Sequence, residues 1–333
     1  MGGLKKLIWL GALTFATCAR EPTSLPQTPS TALMGAPIGI ETTSVALNSE
    51  DPTQSAIGAF IYAGGIEIRG VGTSRLHGLS DLEVLSDDHL VAVTDEGDFF
   101  EARILTDTRG RLSGLSDGRL RRLIDQDSRP LEDRFRADAE GVAVLPNGDR
   151  LVSFERDHRI WRYPAGNGPP RPAPKPDAAF RENAGMEALT AYPIAGPNAY
   201  LVGSEGGKVW LCDGSNACRE TALGASVKTG FGLTAIAAYG SEGALALLTR
   251  AYDPKRGIQI AVILVKQPAL EIARAHVLDE LTMAAPLTRD NFEGLEIVPR
   301  PDGTLRLYLL SDDNFSAAQH TYLLAFDWKP AAP

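Results

Sequence analysis

The sequence predicts an all-β protein, a β-propeller of five or six blades that follows a signal peptide and a Pro/Ser/Thr-rich linker. From about residue 57 onward, short runs rich in Val, Ile, Leu and Tyr alternate with Gly, Pro, Asn and Asp. In addition, one phrase recurs at intervals of 47 to 60 residues, in which a Ser, Thr or Glu leads into an apolar run. That interval is the length of one four-stranded propeller blade.

The first 17 residues are predicted to be a signal peptide. Lys5 and Lys6 precede an apolar run from Leu7 to Ala16, which is too short to span a bilayer of about 30 Å. Cys18 follows at once, as in a bacterial lipoprotein signal whose cysteine is lipidated, although Thr17 precedes it where such signals usually carry Gly, Ala or Ser. An ordinary cleaved signal peptide is the alternative. Either reading predicts an exported protein, in the periplasm or anchored to the envelope through a lipid on Cys18.

A flexible linker is predicted for residues 18–56, because this stretch carries five prolines among many Ser and Thr residues. The propeller domain is predicted for residues 57–328, and residues 329–333 form a short tail. The chain has 33 basic and 42 acidic residues, for a net charge of -9. This balance lacks the basic footprint of a nucleic-acid-binding protein, so no nucleic-acid partner is expected.

Two further cysteines, Cys212 and Cys218, flank a turn between two short strand-like runs. In an oxidising compartment they predict a disulfide. A metal site is the weaker alternative, since it would need ligands that the neighbouring sequence does not offer.

The recurring phrase places five residues in equivalent positions: Ser80, Glu140, Glu187, Thr234 and Glu293. Each copy leads through a turn into a second apolar strand. The runs 57–62 and 66–71 could complete the last blade beside residues 321–328 and close the ring. A pair of β-sandwiches is the competing architecture, which the repeat length does not favour.

Acidic residues at these repeat positions predict a site in the central channel. The first strand of each blade lines the channel, so Glu140, Glu187 and Glu293 are expected to converge as catalytic acids. The ends of the second strands add predicted metal ligands: Asp95, Glu155, Glu205, Asp312 and Asp313. Carboxylates that meet in a partly desolvated funnel repel one another unless they bind protons or a cation. Calcium suits such a ring because it takes six to eight oxygen ligands in loose geometry.

Simpler explanations exist for these acids. Asp313 could serve simply to cap a turn. A glutamate at the start of an inner strand could tie its blade to the backbone of the neighbouring blade. Two cations are expected to share the funnel as further catalytic residues, Arg156 after Glu155 and Arg250 at the position where the other copies carry an acid. A guanidinium group suits a phosphate or carboxylate oxygen pair.

Several motifs together resemble the bacterial phytase-like domain, often called "esterase-like activity of phytase". They are Asp138–Gly141 with Val152–Ile160, Asn183–Leu189, Asn291–Leu295, and Ser311–Phe315 with the segment from Gln319 to Phe326. The resemblance covers roughly residues 58–328. It implies an exported bacterial β-propeller whose Glu and Asp residues hydrolyse phosphate esters. By position, it implies functional roles for Glu140, Glu155, Arg156, Glu187, Glu293, Asp312 and Asp313, with Asp95 and Glu205 behind them.

This sequence departs from the family pattern twice: Thr249-Arg250 stands where a Glu-Arg pair is usual, and Gln319-His320-Thr321 replaces Gln-Arg-Thr. The leading hypothesis is a calcium-assisted hydrolase acting on a small phosphorylated substrate. A lactonase-like calcium hydrolase and a non-catalytic scaffold of the envelope are the alternatives.

Overall fold

The computed structural model describes residues 34–85, 88–182, 184–215, 217–240, 242–266 and 275–330. The predicted signal peptide, Cys18 and the first part of the predicted linker lie outside these residues. No helix among the described residues is long and apolar enough to cross a membrane.

The described residues form 23 strands, numbered in chain order: β1 (Met34–Pro37), β2 (Gly39–Ser44), β3 (Ala56–Ile57), β4 (Phe60–Val71), β5 (Leu79–Val84), β6 (His89–Thr94), β7 (Asp98–Thr106), β8 (Leu112–Arg122), β9 (Ala139–Val144), β10 (Arg150–Phe154), β11 (Arg159–Tyr163), β12 (Arg171–Ala173), β13 (Ala188–Ala191), β14 (Tyr200–Gly203), β15 (Val209–Cys212), β16 (Cys218–Glu220), β17 (Gly232–Tyr239), β18 (Ala244–Asp253), β19 (Gly257–Lys266), β20 (His276–Met283), β21 (Asn291–Pro299), β22 (Leu305–Asp312) and β23 (Tyr322–Trp328). One short helix, α1 (Arg134–Ala137), and two 3-10 helices, Pro193–Ala195 and Ala222–Ser226, complete the regular structure.

The strands form five antiparallel sheets, which are the blades of a propeller. Blade I runs β5-β6-β7-β8 with β1 added at its outer edge, blade II β9-β10-β11-β12, blade III β13-β14-β15-β16, blade IV β17-β18-β19-β20, and blade V β21-β22-β23-β4-β2. The first strands, β5, β9, β13, β17 and β21, lie beside one another in a closed ring. The prediction of a β-propeller is confirmed, and the described residues form five blades.

Blade V closes the ring with strands from both ends of the domain. Strand β4 pairs antiparallel with β23, from Glu67 opposite Tyr322 to Phe60 opposite Trp328. Of the two apolar runs expected at this place, residues 60–62 and 66–71 are therefore parts of one continuous strand, while Ile57 belongs to β3. Because a circular array has no free edge between its first and last blades, this pairing protects backbone groups that would otherwise invite aggregation.

Part of the predicted linker is folded into the domain. Strand β1 pairs with β8 and β2 pairs with β4. Ile38 and Ile40 pack against the core between blades V and I, while Leu47 is buried between blades IV and V. These three apolar side chains anchor the segment in spite of its prolines. The folded domain therefore begins before residue 57.

The hydrophobic core consists of five clusters, one between each pair of adjacent blades. Each cluster takes its side chains from the facing surfaces of two sheets. The middle strands are buried on both faces, so that along β6 Leu90 and Ala92 enter one cluster and Val91 and Val93 the next. Between strands, Asn147-Gly148 and Asp302-Gly303 make tight turns, with Gly148 at φ +83° and Gly303 at φ +81°. In blade III a disulfide joins Cys212 to Cys218, which face each other on β15 and β16.

Candidate active site in the central cavity

β-Bulges turn the repeat-equivalent residues out of the inner strands. In blades I, II, IV and V the strand pairing skips one residue, namely Ser80, Glu140, Thr234 and Glu293. A bulged residue is not paired in the ladder and its side chain is re-aimed. In blade III the equivalent Glu187 stands just before β13 and thus also precedes the regular ladder.

These residues and the ends of the second strands line one cavity of about 220 Å³, the acidic cavity. Its lining consists of Asp95, Asp138, Glu140, Glu155, Arg156, Glu187, Glu205, Thr234, Arg250, Glu293, Asp312 and Asn314. Acids that are up to about 220 positions apart along the chain therefore meet around one axis. Of the ten residues predicted from the sequence to be catalytic or metal-binding, nine lie in this lining, and their chemical roles stay predictions.

Asp313 is the one predicted site residue that the structure places elsewhere. Its carboxylate accepts hydrogen bonds from His77 Nδ1 at 2.7 Å, Thr321 Oγ1 at 3.0 Å and the Gly78 and Phe315 N–H groups. Burial alone would raise the pKa of Asp313, but these donors hold it below its usual range. Asp313 thus stabilises the turn after β22, in line with the simpler reading of this residue.

Two guanidinium groups face eight carboxyl groups in the acidic cavity. Arg250 Nη1 donates to Glu293 Oε1 at 3.0 Å, and Arg156 Nε lies 2.6 Å from Asp138 Oδ2. Arg156 adopts φ +55°, a left-handed conformation that is costly for a residue with a side chain. The two cations balance only part of the negative charge.

Hydrogen-bond donors for the acids are also scarce. Glu155 and Glu187 share the single N–H of Gly185, at 3.2 and 3.3 Å. Asn291 Nδ2 donates to Glu293 Oε1 at 2.8 Å, and Ser80 Oγ donates to Asp95. Glu140 has no hydrogen-bond or ion-pair partner among the described residues.

Burial and mutual repulsion raise the pKa values of the cavity acids. Burial is the largest cause for Glu140, followed by the charges of Glu187, Asp95 and Glu293. The same two causes raise the pKa values of Asp95 and Glu187 well above their usual range. They also raise the pKa of Asp312, to about 9. For Glu155, burial and the charge of Asp138 raise the pKa to about 7. Without a cation, several of these groups therefore keep a proton at neutral pH.

The geometry of three acids suits a divalent cation. One oxygen from each of Asp95, Asp138 and Glu140 can lie within 4.8 Å of the others. Oxygen ligands of calcium bind at 2.3–2.6 Å, so two of them on opposite sides of the ion are at most about 5 Å apart. A hard oxygen donor set that carries excess negative charge fits calcium by chemistry as well as by size.

The repeat comparison missed Asp138, which lies two residues before the bulge of blade II. The corresponding residues in the other blades are Gly78, Gly185, Gly232 and Asn291. Since none of these is acidic, the repeat gives no signal for a carboxylate at this position. Asn314 was missed because its side-chain direction depends on a left-handed φ of +47°.

A second group of buried acids, the inner-strand acids, consists of Asp81, Glu83 and Glu296 further along β5 and β21. Asp81 Oδ2 accepts from the Val142 N–H at 2.9 Å, and Glu83 Oε1 accepts from the Val144 N–H at 3.1 Å. These bonds tie blade I to blade II. The sequence offered such ties as the simpler explanation for Glu140, Glu187 and Glu293, but among the described residues these three accept no backbone N–H of a neighbouring blade.

Comparison with solved structures finds remote likenesses. The Malassezia sympodialis allergen Mala s 1 is 15% identical, with a TM-score of 0.47 over 86% of this chain and 96% of that chain. A virginiamycin B lyase from Staphylococcus aureus is 9% identical, with a TM-score of 0.42 over 87% of this chain and 99% of that chain. Likenesses of this size carry nothing about ligands or activity.

No curated protein matches the chain significantly. The family model described as "Phytase-like: Esterase-like activity of phytase" matches residues 74–315, which make up most of the propeller and contain all the acids of the cavity. The chain therefore belongs to the phytase-like family.

Proposed function

We propose that the protein is an exported hydrolase of phosphoric esters, which acts in the acidic cavity with the assistance of a calcium ion. The observation that carries this proposal is the excess of eight carboxyl groups over two guanidinium groups in one cavity of about 220 Å³. Such an excess is costly unless protons or a cation offset it. Membership of a family described by an esterase-like activity supports the reaction class.

Asp95, Asp138 and Glu140 would hold the cation. Glu187 and Glu293 line the same cavity and would add negative charge near it. When bound there, calcium would act as a Lewis acid on a phosphoryl oxygen. The protein's own cations complement this action. Arg250 and Arg156 stand at the same cavity, and a guanidinium group donates two parallel hydrogen bonds to phosphate oxygens.

The raised pKa values supply the proton chemistry. Hydrolysis adds a water oxygen to phosphorus and breaks the bond to the ester oxygen, so one group must accept a proton and another must donate one. Asp312 is the candidate donor to the leaving oxygen, since burial and the neighbouring carboxylates raise its pKa to about 9 when no metal is bound. Glu155, whose pKa burial and the charge of Asp138 raise to about 7 when no metal is bound, is the candidate to accept the proton of the attacking water.

The direct test is hydrolysis by purified protein that has been freed of metal with a chelator. We expect release of 4-nitrophenol from 4-nitrophenyl phosphate, or of phosphate from phytate, when calcium is restored. A sugar lactone serves as the contrasting substrate, since its hydrolysis without phosphate release would favour a lactonase. If calcium, magnesium and manganese all fail to restore turnover of any ester, the proposal is wrong and the non-catalytic scaffold becomes the better account.

A further inference from the structure

A second cavity, the rim cleft, opens beside the acidic cavity between blades V and I. Its volume is about 420 Å³, which lies within the usual range for small-ligand sites. Phe315 and His77 form part of its wall, together with Ile68, Ala317 and His320. The proposed chemistry gives this cleft no role.

The turn after β22 separates the two cavities. Along this turn the residues alternate, so that Asp312 and Asn314 line the acidic cavity while Asp313 and Phe315 line the rim cleft. The partition is thin: a Cβ atom added at Gly78 would lie 2.9 Å from the Phe315 ring and 3.0 Å from Asp95 Oδ2. The two cavities therefore adjoin, with this turn and Gly78 between them.

The turn is held in a strained conformation. Asn314 and Phe315 are consecutive non-glycine residues with φ of +47° and +53°. Two hydrogen bonds maintain it, from the Asn314 N–H to Asp312 Oδ1 at 2.8 Å and from the Phe315 N–H to Asp313 Oδ1 at 3.1 Å. Strain of this kind is typical of functional sites, where the surrounding structure enforces it.

The strain places an apolar ring where solvent can reach it. Phe315 is 40% exposed, although a side chain of its kind gains from burial. The Arg134 guanidinium lies 5.1 Å from the ring centroid and the His77 ring 5.9 Å from it. These neighbours hold the ring in position while part of its surface stays available to a ligand.

We infer that the rim cleft binds the organic group of the ester and that Phe315 makes the site selective for aromatic groups. The inference rests on the proposed function for the placement of the phosphoryl group in the acidic cavity. An aromatic pair is more favourable than its buried area alone predicts. The preference is measured as the Kd of a methyl compound divided by the Kd of the corresponding phenyl compound. We expect this ratio to be about 3- to 10-fold larger in the parent protein than in a variant that lacks the Phe315 ring.

The test measures binding and turnover separately. Calorimetry in the presence of calcium gives the Kd values of phenylphosphonate and methylphosphonate, which cannot be hydrolysed, and their ratio is compared between the parent and Phe315→Ala. Phe315→Leu keeps apolar bulk without the ring and serves if Phe315→Ala does not fold. Phe135→Ala is the matched control, since Phe135 is 45% exposed and lines neither cavity. Phe231→Ala probes a larger cleft of about 800 Å³ that also borders the acidic cavity at Glu205.

A smaller phenyl preference in the Phe315 variants, with Phe135→Ala and Phe231→Ala unchanged, supports the inference. An unchanged preference in the Phe315 variants, its loss in Phe231→Ala alone, or no binding of either phosphonate overturns it. If the phosphonate ratio depends on Phe315 but no ester is hydrolysed, only the proposed function fails. Metal-dependent hydrolysis of phenyl and methyl phosphate with the same selectivity in the parent and Phe315→Ala overturns only the inference.

Discussion

The acidic cavity and the inner-strand acids are two groups of buried carboxyls on one ring of strands, and they differ in what their oxygens contact. Burial raises the pKa values in both groups, for example that of Glu83 to about 8. Asp81 and Glu83, however, each accept a backbone N–H of the neighbouring blade. Glu140 has no partner among the described residues. The difference teaches that, on the inner strands, Asp81 and Glu83 act as ties between blades because a backbone donor of the next blade satisfies each of them, whereas Glu140, which has no such donor, is available to bind a cation.

The largest expected effect is a difference in catalytic activity between a substitution in the acidic cavity and one among the inner-strand acids. We expect Glu140→Gln to lower kcat/KM for a phosphoric ester by at least about 100-fold, since it removes a cation ligand at the centre of the acidic cavity. Glu83→Gln is the matched change among the inner-strand acids and should stay within about threefold of the parent. The measurement is steady-state hydrolysis with saturating calcium, after circular dichroism has shown that both variants are folded. Equal losses in the two variants would contradict the distinction.

A smaller effect separates the two groups by stability in the absence of metal. Asp81→Asn should lower the free energy of unfolding by about 1–3 kcal/mol, because the two oxygens of Asp81 accept the Val142 and Leu82 N–H groups, and the amide of asparagine can accept only one of these and leaves the other buried donor without an acceptor. Glu140→Gln should raise the free energy of unfolding at pH 8, because Glu140 is ionised in the unfolded chain but must take up a proton or repel its neighbours in the folded cavity, and glutamine need do neither. Urea unfolding of metal-free protein measures both changes. Shifts in the same direction would show that the two acids are equivalent.

The stability of the metal-free protein should also depend on pH. A carboxyl whose folded pKa is raised contributes stability below its unfolded pKa near 4, and this contribution is lost as pH rises through the folded value. For Glu155 and Asp312 the folded values are about 7 and about 9. The metal-free protein is therefore expected to be less stable at pH 8 than at pH 5, and the slope should be shallower in Glu140→Gln.

The sequence predicts most of this arrangement because the repeat carries it. Equivalent positions in successive blades meet at one axis, so Glu140, Glu187 and Glu293 could be placed together from the sequence alone. The β-bulges that aim them could not be predicted, since a bulge depends on the register between two strands. Asp138 has no acidic counterpart in the other blades, and Asp313 differs from Asp312 only in the direction its side chain takes within a turn. The folded part of the predicted linker was missed because its few apolar anchors stand among prolines.

Calcium binding tests the central claim, that the acidic cavity holds a divalent cation, most directly. Titration calorimetry of metal-free protein at pH 6 and pH 8 should show calcium binding that is tighter at pH 8, because protons compete with the ion for acids of raised pKa. Glu140→Gln should weaken binding by at least about tenfold, whereas Glu83→Gln should leave it unchanged. Absence of calcium binding at pH 8, or equal weakening by both substitutions, would contradict the account.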